Sequence, residues 1–163
     1  MRHNKFIRLA IVAGLVVAAD QITKALILKN LPLHKSIPVI EGIFNLTHIL
    51  NPGGAFGLMA GMSVVVRTVV FLFISSLAVG LIFYFYIKTP RGHTFLAVGF
   101  ALIFGGAIGN LIDRVRFGVV VDFLDFYIGK HHWPAFNIAD SAIFVGVAIM
   151  LIDAFFLSSK RKL

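Results

Sequence analysis

Four long apolar segments, separated by shorter polar stretches, dominate the pattern of hydrophobic and polar positions along this chain. They lie at about Phe6 to Leu28, Thr68 to Ile87, Thr94 to Ile112 and Ile138 to Leu157. Each is close to the roughly 20 residues that a helix needs to cross the hydrocarbon core of a bilayer. The middle two carry no charge, whereas the first contains Asp20 and Lys24 and the last contains Asp140 and Asp153. The pattern predicts an all-α integral membrane protein, a bundle of four transmembrane helices.

Composition agrees with a membrane protein. Of the 163 residues, 59% are hydrophobic and only 13% are charged, and the mean hydropathy is +0.95, outside the usual range for a soluble domain. The length is that of one compact unit, so we expect a single domain over residues 1–163. Because there is no cysteine, disulfides, thiolate nucleophiles and cysteine-ligated metals are excluded.

The basic residues predict the orientation in the membrane. Eight of them lie at or beside the ends of the apolar segments without neighbouring acids: Arg2, Lys5, Arg8, Lys88, Arg91, Lys160, Arg161 and Lys162. Since cytoplasmic loops are enriched in Lys and Arg, we expect both termini and the turn between spans two and three to be cytoplasmic. Residues 29–67 and 113–137 would then lie outside. No basic stripe with interleaved aromatic residues is present, so the net charge of +8 does not indicate a nucleic-acid partner.

A second interpretation of the N-terminus stays open at this point. Residues 1–19 combine a basic start, the apolar run Leu9 to Ala19 and a small-residue site at Val17-Ala18-Ala19, as in a cleavable signal peptide. Against cleavage, the apolar pattern resumes at Ala25, and Asp20 and Lys24 are four residues apart, facing one another on a continuing helix.

The two external segments contain strand patterns. The first, SIPVIEGIFNLTHILNPGGAFGL, alternates and is rich in β-branched and aromatic residues, which predicts two or three short strands on the membrane surface. A short interfacial helix or loop would then lead into span two. The second external segment contains VVVDF, a brief strand candidate.

The acidic residues at the outer face are candidates for chemistry, because ionisable groups at membrane depth are costly. In FNIADS, Asn137 and Asp140 fit a variant of the helix capping box, a purely structural role. Capping does not explain Asp122, which lies in a loop at the same face. Two carboxylates held close cannot both ionise cheaply, so one keeps a proton and its partner acts as a base. Such a pair activates water for attack on a peptide carbonyl without a metal or a covalent intermediate.

Span three ends in GGAIGNLIDR, where Gly105 and Gly109 form a small-xxx-small pattern that favours close helix packing. Arg114 either reaches lipid phosphate or pairs with Asp113 and holds the loop that carries Asp122. In span one, Asp20 and Lys24 are expected to form an ion pair, which is either a purely structural pair or a device that positions the site.

Five short motifs together resemble the ordered signature blocks of lipoprotein signal peptidase, also called signal peptidase II. They are DQITK at 20–24, NPGGAF at 51–56, GNLIDR at 109–114, VVDF at 120–123 and FNIADS at 136–141. The resemblance spans nearly the whole chain. It implies an inner-membrane aspartyl peptidase with four helices, a small external β-cradle and a short interfacial helix. It also implies the substrate, a bacterial prolipoprotein that is cleaved just before its diacylglyceryl cysteine.

Carried over motif by motif, the resemblance puts the catalytic pair on Asp122 and Asp140. It puts the supporting or substrate-binding residues on Asp20, Lys24, Asn51, Gly53, Asn110, Asp113, Arg114, Asn137 and Ala139. It implies no metal and no cofactor; the expected partners are the prolipoprotein and membrane lipids, and we expect a monomer. One departure is Gly53-Gly54-Ala55, preceded by Pro52, where Gly-Ala-Ala is common in the family.

From the residues alone, two other functions stay open. A transporter or channel subunit would use the intramembrane ions to line a pathway, but the chain lacks the paired repeats and broken helices that transporters usually show. A membrane scaffold would use the acids only for capping and pairing. Neither H-E-x-x-H, G-x-S-x-G nor a phosphate-binding glycine loop is present.

Overall fold

The computed structural model describes residues 3–53 and 63–157. The helices are α1 His3–Asn30, α2 Val64–Lys88, α3 Thr94–Phe117 and α4 Ile138–Ile152, with α4 continuing as a π-helical turn over Asp153–Leu157. The strands are β1 Ser36–Ile40, β2 Phe44–Asn51, β3 Val120–Ile128 and β4 His131–His132. Within the described residues, four helices are long and apolar enough to cross a membrane, as the hydrophobic pattern predicts.

The helix ends differ from the predicted ones, most of all in α3. The apolar run stops at Ile112, but the helix continues to Phe117 and ends at Gly118, whose φ of 73° allows the left-handed cap. Asp113 and Arg114 therefore belong to the last turns of this helix, beyond the predicted end of the third apolar segment. At the start of α2, the Ser63 hydroxyl accepts from the Val66 amide, so this helix begins before the predicted Thr68.

α1 is one continuous helix through the candidate cleavage site after Ala19. Leu9 and Ala13, which precede that site, are buried and pack with Tyr86 and Phe100. The N-terminal segment is thus part of the core of the bundle.

α3 is the central helix and packs against each of the other three. Small residues make this possible. A Cβ atom on Gly105 would lie 2.9 Å from the Ala13 Cα atom of α1, and one on Gly106 would overlap the Ala139 carbonyl of α4. The close packing predicted from the small-residue pattern is therefore confirmed at Gly105, and Gly109 likewise faces Asp20 and Ala139.

The external segments form one antiparallel sheet in the order β1-β2-β3-β4. β3 pairs with β2 so that Asp122 lies opposite Ile49, beyond an irregularity between Leu46 and Ile49. The inner face of the sheet packs on the end of α1 through an apolar cluster of Ile27, Leu31, Val121 and Phe123. The buried face of β3 thereby anchors the strand that carries Asp122.

The strand predictions are confirmed for β1, β2 and β3, although β3 is nine residues long and not a brief strand. Because of the sheet, the all-α label is not confirmed; the fold is four apolar helices with a small four-stranded antiparallel sheet. The predicted interfacial helix falls on residues 54–62 and so lies outside the described residues.

We predict that Gly106→Ala destabilises the protein, because the added methyl group meets the Ala139 carbonyl and separates α3 from α4. The measurement is the unfolding temperature in detergent micelles. Gly80→Ala is the matched control, since Gly80 of α2 faces open space and Ala is the better helix former by about 1 kcal/mol. An unfolding temperature for Gly106→Ala at or above that of Gly80→Ala would show that the close contact is unimportant.

Candidate active site

Two acidic side chains meet where β3 approaches the start of α4. Asp122 lies on β3 and is 1% exposed. Asp140 is in the first turn of α4 and is half-buried. The Asn137 side chain accepts from the Asp140 backbone N–H at 2.9 Å, and the Asn137 backbone N–H donates to Asp140 Oδ2 at 3.3 Å. This is the capping box predicted from FNIADS.

Asn137 contacts both carboxyl groups. Besides its backbone bond to Asp140, its amide Nδ2 donates to Asp122 Oδ1 at 2.7 Å. The other Asp122 oxygen, Oδ2, accepts from Asn51 Nδ2 at 2.9 Å. The structure therefore brings together the two acids that the sequence motifs paired, and one buried asparagine joins them.

Asn110 of α3 holds the other oxygen of Asp140. Its Nδ2 donates to Asp140 Oδ1 at 2.7 Å. Its Oδ1 accepts from Asn137 Nδ2 at 3.2 Å and from Lys24 Nζ at 3.0 Å. Lys24 and Asn137 both donate to the same end of the Asn110 amide, so that end must be the oxygen. The NH₂ group of Asn110 therefore faces Asp140.

Lys24 belongs to a buried ion cluster beneath the two acids. Its Nζ lies 2.9 Å from Asp20 Oδ2 and 2.9 Å from Asp113 Oδ2. The exposed fraction of all three side chains is 2% or less. The pairing of Asp20 with Lys24 predicted from their spacing is confirmed. Asp113, in contrast, pairs with Lys24 of α1 and not with Arg114, because the α3 helix turns it toward the bundle interior.

The same carboxylates position backbone around the site. Asp20 Oδ1 accepts from the Ala139 N–H at the start of α4, at 2.9 Å. Asp113 Oδ2 accepts from the Val121 N–H, directly before Asp122, at 3.0 Å. Ala139 is fully buried, where only a small side chain fits beside α3. The ion cluster thus fixes both segments that carry the acidic pair.

Arg114 and Gly53 lie at the edge of the site toward α2. Arg114 Nη1 donates to the Asn110 carbonyl at 3.4 Å, and its guanidinium lies 5.8 Å from the centre of the Phe71 ring. Gly53 has a φ of 91° and donates its N–H to Asn51 Oδ1 at 2.9 Å. Because this bond engages the Asn51 oxygen, the Asn51 NH₂ group is left facing Asp122.

Burial, together with the nearby charge of Asp140, raises the pKa of Asp122 to about 7. The hydrogen bonds from Asn51 and Asn137 and the charge of Lys24 act in the opposite direction. Burial outweighs them because Asp122 is almost completely removed from solvent. The folded protein therefore keeps a proton on this side chain at pH values where an unfolded chain has lost it, so this group's contribution to stability falls as the pH rises from about 4 toward about 7.

An apolar groove runs beside Asp140 on an exposed side of α4. Its volume is about 440 Å³, and its lining residues are Trp133, Phe136, Asp140, Ser141, Phe144 and Val145. Phe144 is 76% exposed, so one wall of the groove faces the surroundings of the bundle. Among the described residues, no group of three or more His, Asp or Glu side chains is arranged to hold a metal ion.

The sequence model described as Signal peptidase (SPase) II matches residues 12–156. This chain belongs to the signal peptidase II family. It is 56% identical to the lipoprotein signal peptidase of Desulforapulum autotrophicum, over 96% of both chains. It is 49% identical to that of Syntrophus aciditrophicus, over 88% of this chain and 89% of the relative.

Solved structures agree with the family assignment. Two structures described as a bacterial membrane enzyme, obtained by the in meso method at 2.3 Å and 1.9 Å, superpose with TM-scores of 0.81 and 0.80. Their sequences are 36% and 35% identical to this one. The alignments cover 95% and 91% of this chain and 91% and 92% of the solved chains. The resemblance found in the five motifs is therefore confirmed at the level of the family.

Gln21 is a further polar residue beside the site of this signal peptidase II, and the sequence motifs did not single it out. Gln21 Nε2 lies 2.9 Å from Asp113 Oδ1, 3.1 Å from Asp20 Oδ2 and 3.2 Å from the Gly109 carbonyl. It therefore links α1 to α3 beside the ion cluster. Its position in the sequence could have indicated this role, since Gln21 is a polar amide inside an apolar segment and directly follows Asp20.

Lys24→Met is expected to destabilise this signal peptidase II by about 3–5 kcal/mol, because it leaves two buried carboxylates without their cation. Thermal unfolding in micelles measures the effect. Lys29→Met is the control on the same helix, since Lys29 is exposed and its loss is expected to change stability by less than about 0.5 kcal/mol. Equal stability of the two variants would contradict the structural role of the cluster.

Proposed function

We propose that this protein is an aspartyl endopeptidase that removes the signal peptide from diacylglyceryl-modified prolipoproteins, with Asp122 and Asp140 as its catalytic pair. The observation that carries the proposal is the contact of Asn137 with both carboxyl groups. The relatives of this chain are named lipoprotein signal peptidases, which supports the same function. The family supports the hydrolase class and the kind of substrate; the roles of the two acids are our assignment.

The different burial of the two acids supports a division of roles. Asp122 is almost fully buried and has a pKa raised to about 7, which favours the protonated form at rest. Asp140 is only half-buried and borders the groove, so it is the group that a water molecule reaches first. We assign the resting proton to Asp122 and the role of general base to Asp140, within a pair that shares one proton.

The reaction then proceeds by general acid–base catalysis. Asp140 takes a proton from water, and the resulting hydroxide adds to the scissile carbonyl carbon while Asp122 donates its proton to the carbonyl oxygen. The tetrahedral intermediate collapses, the C–N bond breaks, and the proton on Asp140 passes to the leaving amine of the cysteine. Loss of the intermediate's hydroxyl proton to Asp122 restores the starting state.

The other residues of the site hold this arrangement. Asn51, Asn110 and Asn137 donate to carboxyl oxygens of the pair. Asp20, Lys24 and Asp113 form the buried cluster that fixes the backbone on both sides. We propose that Gly53 and Arg114 shape the entrance toward α2, and that Ala139 keeps α4 close enough to α3.

The groove beside Asp140 supports the assignment of a lipid-modified substrate. Its lining is mostly apolar, and Phe144 lies on its outer side, so an acyl chain would enter it directly from the bilayer. We propose that the diacylglyceryl group enters here and presents the peptide bond before the modified cysteine to the acid pair. Cleavage just before the cysteine follows from that placement.

The surroundings of the enzyme are part of the proposal. The basic flanks of the spans favour a multi-pass protein of the bacterial inner membrane with both termini in the cytoplasm and the active site at the outer face. We propose a single membrane-embedded peptidase domain over residues 1–163 that acts as a monomer, with prolipoprotein and membrane lipids as partners and with no cofactor, metal or nucleic acid.

Asp122→Asn and Asp140→Asn are each expected to lower cleavage of a diacylglyceryl lipobox peptide by about 10²- to 10⁴-fold, since each removes one partner of the proton transfer. The purified variants should keep a cooperative unfolding transition in micelles.

Asp125→Asn is the matched control for these variants. Asp125 is buried on the same strand but bonds to Asn45 and His132, away from the pair, so near-wild-type cleavage is expected. Normal cleavage by either pair variant would refute the catalytic assignment, and loss of cleavage in all three variants would point to a general effect on the fold.

The pH dependence of kcat/KM is expected to fall above about pH 7, where Asp122 loses the proton that the reaction needs. Because the Asn51 hydrogen bond lowers this pKa, Asn51→Leu should move the alkaline limb to higher pH. The measurement is a pH profile of both enzymes on the diacylglyceryl lipobox peptide. If the alkaline limb of Asn51→Leu stays in place or moves to lower pH, the Asn51 hydrogen bond does not lower the pKa of Asp122.

A further inference from the structure

The end of the bundle opposite the sheet contains a cavity that the peptidase site does not use. It measures about 530 Å³ and lies between the start of α1 and the end of α2; its lining residues include Lys5, Phe6, Ile87, Lys88, Thr89 and Arg91. The candidate span of α1 begins at Lys5 and that of α2 ends at Lys88. The cavity is therefore at the level where hydrocarbon gives way to headgroups.

Positive charge is concentrated among the described residues that line this cavity. Lys5, Lys88 and Arg91 line it, no Asp or Glu is among the described residues that do so, and Arg8 also acts electrostatically on Lys5. Among the Asp and Glu side chains, only Asp153 lies toward this end of the bundle, in the π-helical turn after α4, and it is not part of the described lining. The cations of the cavity are not neutralised by lining carboxylates, so an anion of the surroundings is the complementary ligand.

Lys5 is held in place as part of the fold. Its Nζ donates to the Ile87 carbonyl at 3.0 Å and to the Thr89 carbonyl at 2.6 Å. Its own carbonyl accepts from the Tyr86 hydroxyl. These bonds close the C-terminal end of α2 over α1 and, with the Tyr86 ring centroid 5.3 Å from Nζ, fix the position of the ammonium charge. A charge meant only to orient the chain in the membrane would need no such fixed position.

The rim of the cavity matches an amphiphile better than a free ion. Phe6 and Ile87 are 48% and 46% exposed and face outward from the helices, while the charged groups lie beside them. We propose that this cavity binds the phosphate headgroup of an anionic phospholipid, with Lys5, Lys88 and Arg91 around the phosphate and the acyl stem along Phe6 and Ile87. Recognition of anionic headgroups by basic clusters at the ends of spans has this chemistry.

The test is the thermal unfolding of the full-length protein in neutral detergent micelles doped with phosphatidylglycerol, with phosphatidylcholine or with inorganic phosphate. A lipid that binds the folded state raises the unfolding temperature in proportion to its occupancy. We expect a rise with phosphatidylglycerol alone. Removing one cation should weaken binding about five-fold, because one basic residue near an anionic lipid contributes on the order of 1 kcal/mol.

Lys88→Gln with Arg91→Gln is the chosen variant, since it leaves the hydrogen bonds of Lys5 intact. Lys35→Gln with Lys130→Gln is the charge-matched control at the sheet end, where both side chains are exposed. The phosphatidylglycerol response should be lost in the first double variant and kept in the second. An equal response in both variants, an equal response to phosphatidylcholine, or the same response to inorganic phosphate would each overturn the proposal.

Discussion

The site depends on one buried amide, that of Asn137. Its side chain caps α4 through the Asp140 N–H and donates to Asp122 on β3, while its backbone N–H donates to Asp140. Helix capping normally satisfies backbone groups that would otherwise lack a partner. Here the same residue also brings a second carboxyl group to the first. Because the amide is fully buried, water cannot replace it, and the distance between the acids is set by the fold.

This amide is held in turn by a chain of polar contacts that begins at a charge. Lys24 neutralises much of the charge of Asp20 and Asp113 and donates to Asn110, and Asn110 binds both Asn137 and Asp140. A buried ion cluster is weak evidence for stability in itself, since desolvation is costly. Its role here is to orient the side chains of the site. Only one arrangement of these polar side chains gives every donor an acceptor.

Much of this could be predicted from the sequence, and the parts that could not have a common cause. The four apolar helices, the capping box at Asn137 and the ion pair of Asp20 with Lys24 depend on local spacing, and each is confirmed. The partner of Asp113 was missed because Lys24 lies on another helix, far away in the sequence. The end of α3 was missed because hydropathy marks where apolar residues stop, whereas the helix continues until Gly118 provides a left-handed cap.

The central claim is that Asp122 and Asp140 share one proton near neutral pH, and infrared difference spectroscopy of the purified protein tests it directly. Titration across neutral pH should show one protonated carboxyl signal that disappears with a midpoint near pH 7. The signal should be absent from Asp122→Asn and retained in Asp125→Asn. If no carboxyl proton is released in this range, or if its release is unchanged in Asp122→Asn, the acids do not form the pair described here.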